Sequence, residues 1–435
     1  MSMKPLDRRI SSRSRVLAPP AALGALLMSR AGNSRAQDAA PIRLTGWTSS
    51  PVEQELFEKV LEDLRAAHPE VDLSYDPITG DYFTKLQTDI AAGSVADVFY
   101  LGDLEAPDLM AAGQLLPLDE YMAEAGVTAE DFYPSLISAF QWDGQTYGLP
   151  KDFSTLAMVY DQQALTDAGV ANPPANWEEL RSAGQALLDA TGQPGIVIPS
   201  DIARYLAFHY AGGAEVFSED GTQVVFNSPE AETALDFYYG LYRDGIASTP
   251  ADAGAEWPGD ALAKGLGSIV FEGNWVFPFL QENAPDLQFG IAEMPEGPGG
   301  KATLAFTVSF SSFVDTGSPD AAWSVINYLT GPEGMGTWTS LGLAMPARRD
   351  LSENWQAEFP ERQPFIAGGE YAREWQFGVG GKAFYDDANT EMQGLFAGEL
   401  EVAETLARIQ AAAEERIQLG DGAVASPSAE GTPTG

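Results

Sequence analysis

The amino-acid sequence predicts an α/β protein of two lobes, each built on a mainly parallel sheet flanked by helices. Three observations point there. Strand and helix patterns alternate from Ile42 onward, helix starts with a Ser-Pro-acidic signature recur, and about 380 residues of this pattern exceed what one hydrophobic core supports. Ligands of such open sheets sit beyond the carboxyl ends of the strands, so two lobes facing each other across a cleft make a site neither has alone.

In order, a strand ends at Trp47, a helix runs from Pro51 to His68, a strand from Val71 to Tyr75, a helix from near Asp81 to Ala92 and a strand from Ala96 to Leu101. This βαβαβ succession needs crossover helices and a parallel sheet. The first helix carries Val52, Leu56, Val60, Leu61 and Leu64 at helical spacing; Ser50 caps it, Pro51 takes the first helical position and Glu53 closes a capping box. The same opening returns at Ser228-Pro229-Glu230, ahead of Leu235, Tyr238 and Tyr242, and at Ser318-Pro319-Asp320, ahead of Trp323, Ile326 and Leu329. Asn176-Trp177-Glu178-Glu179 starts another helix after Pro173-Pro174, and Leu400 to Leu419 forms a last amphipathic one through Val402, Leu406, Ile409, Ala413 and Ile417. Trp47-Thr48-Ser49 and Leu101-Gly102-Asp103 fall at strand ends, where a ligand would meet them.

Residues 1–36 read as an export signal: Lys4, Arg8, Arg9, Arg13 and Arg15 precede a short apolar run, and Ser34-Arg35-Ala36 fits a signal-peptidase site. The Arg8-Arg9 pair sits in a poor twin-arginine context, so Sec export stays open. Removing this leader takes away seven basic residues and one acidic one, and shifts the net charge from −39 to −45. Residues 420–435 lack large side chains and read as a disordered tail. No stretch of about 18 apolar residues follows the leader, so no membrane span is expected.

Composition narrows the chemistry. With 63 acidic against 24 basic residues the surface repels phosphate backbones, and no nucleic-acid partner is expected. The absence of Cys removes disulfides, thiolate metal sites and a cysteine nucleophile. His68 and His209 are the two histidines and lie far apart, so neither a metal site nor a cofactor is expected. No G-x-S-x-G, H-E-x-x-H or G-x-x-x-x-G-K-[ST] occurs. Gly378 to Ala383 imitates a dinucleotide loop but lies too near the end of the chain, with one helix and a tail after it, and reads as a turn. Asp386, Asp387, Asn389 and Glu391 resemble part of a calcium loop without its glycine and distal Glu, and read as a polar helix face.

Several segments carry a resemblance when taken in order. Ala96 to Asp103 followed by Ala111-Ala-Gly-Gln-Leu-Leu-Pro-Leu-Asp119 resembles a third strand and a "G-x-L-x-P-L-D" turn; Asp143-Gly-Gln-Thr-Tyr-Gly-Leu-Pro150, with Met158-Val-Tyr-Asp161, resembles "G-x-x-Y-G-[LV]-P…Y-[ND]". Pro173 to Leu180 resembles "P-P-x-T-W-E-E-L", and Leu266 to Trp275 resembles "G-x-A-A-M-x-x-x-G-x-W". Ala321 to Glu333 and then Gly342 to Arg348 resemble a helix and a "G-x-x-P-x-R" stretch. Together, over Ile42 to about Leu419, these resemble the family 1 extracellular solute-binding proteins, the maltose-binding-protein-like carbohydrate receptors of ATP-binding-cassette importers.

The resemblance implies a two-lobe periplasmic-binding-protein fold whose halves close on ligand by rotation about hinge strands. It places hinges near Pro150 to Ser154, Leu304 to Val308 and Pro346 to Asp350, with lobe 1 at 41–150 plus 307–347 and lobe 2 at 151–306 plus 348–419. It implies a monomeric exported receptor, periplasmic or extracellular and associated with the cell envelope, that delivers a mono- or oligosaccharide to a membrane permease without turnover. A sugar shows hydroxyl edges and apolar C–H faces, so indole plates and carboxylate or amide groups suit it. The expected binding residues are Trp47, Thr48, Ser49, Asp103, Lys151, Asp152, Phe153, Arg204, Asn274, Trp275, Phe306, Trp375, Phe384 and Tyr385. A polyamine or glycerol-phosphate cargo, or a secreted carbohydrate-active enzyme with paired carboxylates, are the alternatives.

Overall fold

The computed structural model describes residues 39–47 and 51–419. The export signal expected at 1–36, Thr48, Ser49, the Ser50 cap and the tail expected at 420–435 lie outside the described residues. Strands β1 (Ala40–Thr45), β2 (Val71–Tyr75) and β3 (Val98–Gly102) pair in parallel with β1 in the middle, as the alternating pattern requires. The crossover helices are Pro51–Ala67, which buries Leu56, Phe57, Val60, Leu61 and Leu64, and Tyr82–Ala92, which starts on Asp81 with its carboxylate accepting the Thr84 N–H.

A hairpin of β4 (Gln141–Trp142) and β5 (Gln145–Thr146) precedes β6 (Gly148–Thr155), and Leu156 alone separates β6 from β7 (Ala157–Asp161). With β7 the chain enters a second sheet, completed by β8 (Ile196–Val197), β9 (Ala247–Ser248), β10 (Ile269–Glu272) and β11 (Phe289–Ala292) in the order β11-β7-β10-β8-β9. The long β12 (Thr303–Ser312) returns to the first sheet antiparallel to both β3 and β6, and β13 (Ala372–Glu374) runs parallel to its first residues. Each sheet is therefore less parallel than expected. Parallel pairing needs a crossover connection, and β6, β7 and β12 follow their predecessors without a helix between.

Element boundaries moved for local reasons. β1 stops at Thr45 instead of Trp47 because the chain leaves the sheet at Gly46, where a Cβ would lie 2.6 Å from the Tyr100 ring. β3 begins at Val98, not Ala96, because the Asp97 carboxylate accepts the Arg43 backbone N–H and the Thr316 hydroxyl in place of a ladder partner. The last helix is Val402–Arg416; beyond it the Gln418 N–H donates to the Val379 carbonyl at 3.0 Å and Ile417 is buried in extended conformation.

Gly378 to Gly380 is a turn, as expected, and its Gly380 N–H donates to the Asp108 carboxylate at 2.8 Å, so a phosphate is not what this loop cradles. The turn opens a helix, Gly381–Phe396, so two helices follow it instead of the expected one. Asp386 and Asp387 lie on that helix and bond Lys382 and Arg416. Among the described residues no group of three or more His, Asp and Glu is placed to hold a metal ion, and no helix is long and apolar enough to cross a membrane.

The two Ser-Pro helix starts whose serine lies within the described residues differ in one respect. The Ser228 hydroxyl accepts the Ala231 N–H at 3.1 Å, whereas Ser318 makes no side-chain cap bond. Ser228→Ala is expected to lower stability by about 1 kcal/mol, and Ser318→Ala by no more than a few tenths, in chemical denaturation. Equal losses would contradict the assignment.

His209 is fully buried, its ring stacked on Phe226, and burial depresses its pKa from 6.5 to about 4. Between those values the unfolded chain binds a proton that the folded one refuses, so stability is lost as pH falls through that window, by roughly 3 kcal/mol in all. Denaturation curves of His209→Gln are expected to lose less stability than wild type between pH 6.5 and 4. Coincident acid slopes would show that the imidazole is not the group responsible.

Candidate ligand-binding cleft

Strands β1, β3 and β10 end at one cavity of about 460 Å³, a size typical of small-molecule sites. Residues of both sheets line it: Trp47 beyond β1, Gly102 to Glu105 at the end of β3, Lys151 to Ser154 on β6, Phe306 to Val308 on β12, and Asn274 and Trp275 after β10. At Gly102 a Cβ would lie 2.5 Å from Glu105 Oε2 and 3.0 Å from the Phe83 ring, so both side chains close on this strand end.

Asp103 is buried, and both of its oxygens accept backbone donors: Oδ1 from Leu104 at 3.0 Å and Oδ2 from Thr307, on β12, at 3.1 Å. Burial pushes its carboxyl well above the ordinary range, and the charge of Glu105 adds to this against the pull of the backbone N–H groups. Burial likewise lifts Glu105 to about 7, opposed by its own backbone N–H and by Lys382.

Opposite these carboxyls sits an ion pair within one strand. Lys151 Nζ contacts the Asp152 carboxylate and lies 3.9 Å from the centroid of the Trp338 ring, while Trp338 Nε1 donates to Asp152 Oδ2 at 2.7 Å. The second sheet contributes another pair. Arg204 donates to Glu272 Oε2 at 2.7 Å, and Trp275 Nε1 donates to the same oxygen at 2.9 Å, which fixes the indole. Burial works against the Arg204 charge, but Glu272 and Asp201 beside it outweigh that and hold the guanidinium charged. Burial pushes the Glu272 carboxyl up while Arg204 pulls it back.

The walls are aromatic. Trp275 meets Phe306 edge-on at 5.7 Å and 83°, Phe306 lies 5.5 Å from Trp375, and Trp375 meets Tyr385 at 5.5 Å and 88°. Trp47 packs edge-on against Phe83 at 5.6 Å on the other side. Two lining residues carry a buried polar atom with no partner among the described residues, Arg204 Nε and Asn274 Nδ2; Glu272 Oε1 also has none, but Glu272 is fully buried and does not line the cavity. A cavity with aromatic walls and unsatisfied buried donors has the chemistry to hold a small molecule with apolar faces and acceptor oxygens at its edges.

Of the residues expected from sequence, Trp47, Asp103, Lys151, Asp152, Phe153, Arg204, Asn274, Trp275, Phe306, Trp375 and Tyr385 line this cavity. Phe384 does not: it is fully buried against Phe377 and Phe226, because its position on the helix Gly381–Phe396 faces the core, whereas Lys382 and Tyr385 on the same helix reach the cleft. Thr48 and Ser49 lie outside the described residues. Glu53, Phe83, Glu105, Trp338 and Lys382 also line the cavity and were not anticipated. Glu105 follows Asp103 by two residues and carried a usable signal; Trp338 sits in a helix, Pro332–Thr339, with nothing local to mark it.

Replacing Glu272 by Leu leaves the Arg204 guanidinium without its partner, and is expected to cost about 3–5 kcal/mol. The double variant Arg204→Met, Glu272→Leu should recover most of that loss in urea denaturation. A double variant no more stable than Glu272→Leu alone would show that the pair's charges are not what is at stake.

A family model described as "Bacterial extracellular solute-binding protein" matches residues 48–336. A binding protein of Brucella abortus is 28% identical over 338 residues, which is 76% of each chain. The maltotriose-binding protein of Pyrococcus abyssi is 25% identical over 292 residues, 64% of this chain and 60% of that one. Among solved structures, an ABC substrate-binding protein from Listeria monocytogenes in complex with cycloalternan superposes with a TM-score of 0.80 at 22% identity, covering 87% of this chain and 99% of that one.

Proposed function

Because the chain belongs to the bacterial extracellular solute-binding protein family, we propose that it captures a mono- or oligosaccharide in this cleft and passes it unaltered to the membrane permease of an ABC importer. The observation that carries this reading is the pairing of aromatic walls with buried, unpartnered donors in one cavity shared by two sheets. Trp275 and Trp375 present ring surface to the C–H faces of a pyranose, while Asn274, Arg204 and Asp103 meet its hydroxyl edge. The maltotriose- and cycloalternan-binding relatives support the same cargo class.

Closure follows from the connections between the sheets. We place the hinges near Pro150 to Ser154, Leu304 to Val308 and Pro346 to Asp350, with lobes at 41–150 plus 307–347 and 151–306 plus 348–419. A ligand that touches both lobes binds the closed form better than the open one and shifts the population toward it. The protein acts as an exported monomer and turns nothing over. A phosphate-bearing cargo is disfavoured, since Lys151, Arg204 and Lys382 each already hold a carboxylate.

A thermal-shift screen against sugars and polyols tests this. A ligand at about 100 times its dissociation constant stabilises by about 2.7 kcal/mol, and Trp275→Ala should weaken that binding by about tenfold or more. Silence with every sugar and polyol, alongside a shift with a cation or peptide, would overturn the carbohydrate assignment.

A further inference from the structure

We propose that the carbohydrate this cleft selects carries a basic nitrogen, as an amino sugar or aminated cyclitol does, with its ammonium held between Asp103 and Glu105; this rests on the carbohydrate reading and narrows it. Charge pairing in the cleft is the first observation. Three cations line it and each is already engaged: Lys151 with Asp152, Arg204 with Glu272 at 2.7 Å, and Lys382 with Asp386 at 2.6 Å. Asp103 and Glu105 form no ion pair with any described residue, although both are buried and both line the cavity.

The two carboxyls stand at one strand end, out of water and in no ion pair; burial raises both, Asp103 further through the charge of Glu105, while Lys382 only partly offsets the rise at Glu105. An ammonium relieves that repulsion and offers three donors, where a hydroxyl offers one. The Phe83 ring edge packs against the same corner, 3.0 Å from where a Gly102 Cβ would stand, and helps keep water from it.

A second and independent observation separates an aminated sugar from a bare polyamine. Asn274 is 3% exposed and its Nδ2 has no acceptor, and Arg204 Nε has none either. These donors need acceptor oxygens from the ligand, which a sugar's hydroxyls supply and a polyamine lacks. A carboxyl corner with no cation and amide and guanidinium donors with no acceptor together describe one molecule with an amine at one place and hydroxyls at another.

Titration calorimetry at fixed pH and ionic strength with matched pairs tests this: glucosamine against glucose, galactosamine against galactose, and the β-1,4-linked glucosamine disaccharide against cellobiose. The amine member of at least one pair should bind about tenfold tighter, and Glu105→Gln and Asp103→Asn should each bring the pair to near parity. Neutral members binding as tightly, a preference that survives both variants, or a neutral sugar that binds where no aminated one does would each overturn the proposal and leave the carbohydrate reading standing. Silence of the whole panel, neutral and aminated, would overturn the amine proposal, and the wider sugar and polyol screen would then decide the carbohydrate reading. Should either variant fail to fold, the wild-type ratio within each pair decides alone.

Discussion

The hydrogen bond from the Thr307 backbone N–H to the buried Asp103 carboxylate is where the two halves of the site are tied together. Asp103 stands at the end of β3 and Thr307 in the middle of β12, the ten-residue strand that pairs with β3, β6 and β13 in turn. The Thr307 hydroxyl donates to the Asp152 carbonyl at 2.7 Å on the other side. One residue of β12 thereby fixes both an acidic and a basic corner of the cleft, while its neighbours Phe306 and Val308 line the wall. The register slips between Val308 and Ser309, beside this cluster. Irregularity of this kind in a strand re-aims side chains, and here it sits where the wall is formed.

Holding charge out of water is the cost of this arrangement. Glu272 is fully buried, and removing a carboxylate from water is repaid only by good geometry on every side. Arg204 and the Trp275 indole supply two donors to one oxygen, and the second oxygen has no protein donor. The pair therefore orients Trp275 and Arg204 toward the cavity at a net energy near balance, which is what a site needs and a core does not. Edge-on ring contacts do the same for the aromatic walls. Trp275, Phe306, Trp375 and Tyr385 hold one another at 5.5 to 5.7 Å, so the plates are set before any ligand meets them and little side-chain entropy is lost on binding.

Much of this was legible in the sequence because the information is local. Ser228-Pro229 and Asn176-Trp177 announce helix starts through backbone capping, and β1 to β3 follow from alternation of apolar runs with amphipathic helices. Asp103 is legible because strand ends are where open sheets bind, and a strand end is visible from its own residues; Trp275 is legible only through the resemblance of Leu266 to Trp275 to a family motif. What failed was non-local. Trp338 reaches the cleft only because Pro332–Thr339 packs beside the Lys151-Asp152 pair, and no sequence window joins residues that far apart. Phe384 and Tyr385 show the limit of resolution on a helix: one step of about 100° separates core from cleft, and an aromatic pair reads the same in either phase.

A binding protein must release what it captures, and the cleft's own ion pairs bear on how. Lys151 lies over Trp338 and against Asp152, so its ammonium already satisfies a ring face and a carboxylate. Each such internal contact stabilises the unliganded cleft and removes a charge that would otherwise hold ligand through long-range attraction. Grip then rests on contacts made over short distances, ring against C–H face and donor against hydroxyl, which vanish once the lobes part by a few ångströms. The carboxyls in no ion pair, Asp103 and Glu105, select among ligands by the group the closed cleft sets against them, a contact that is likewise lost when the lobes part. Pairing most of its charges and leaving two carboxyls open lets one cavity discriminate without holding on after it opens.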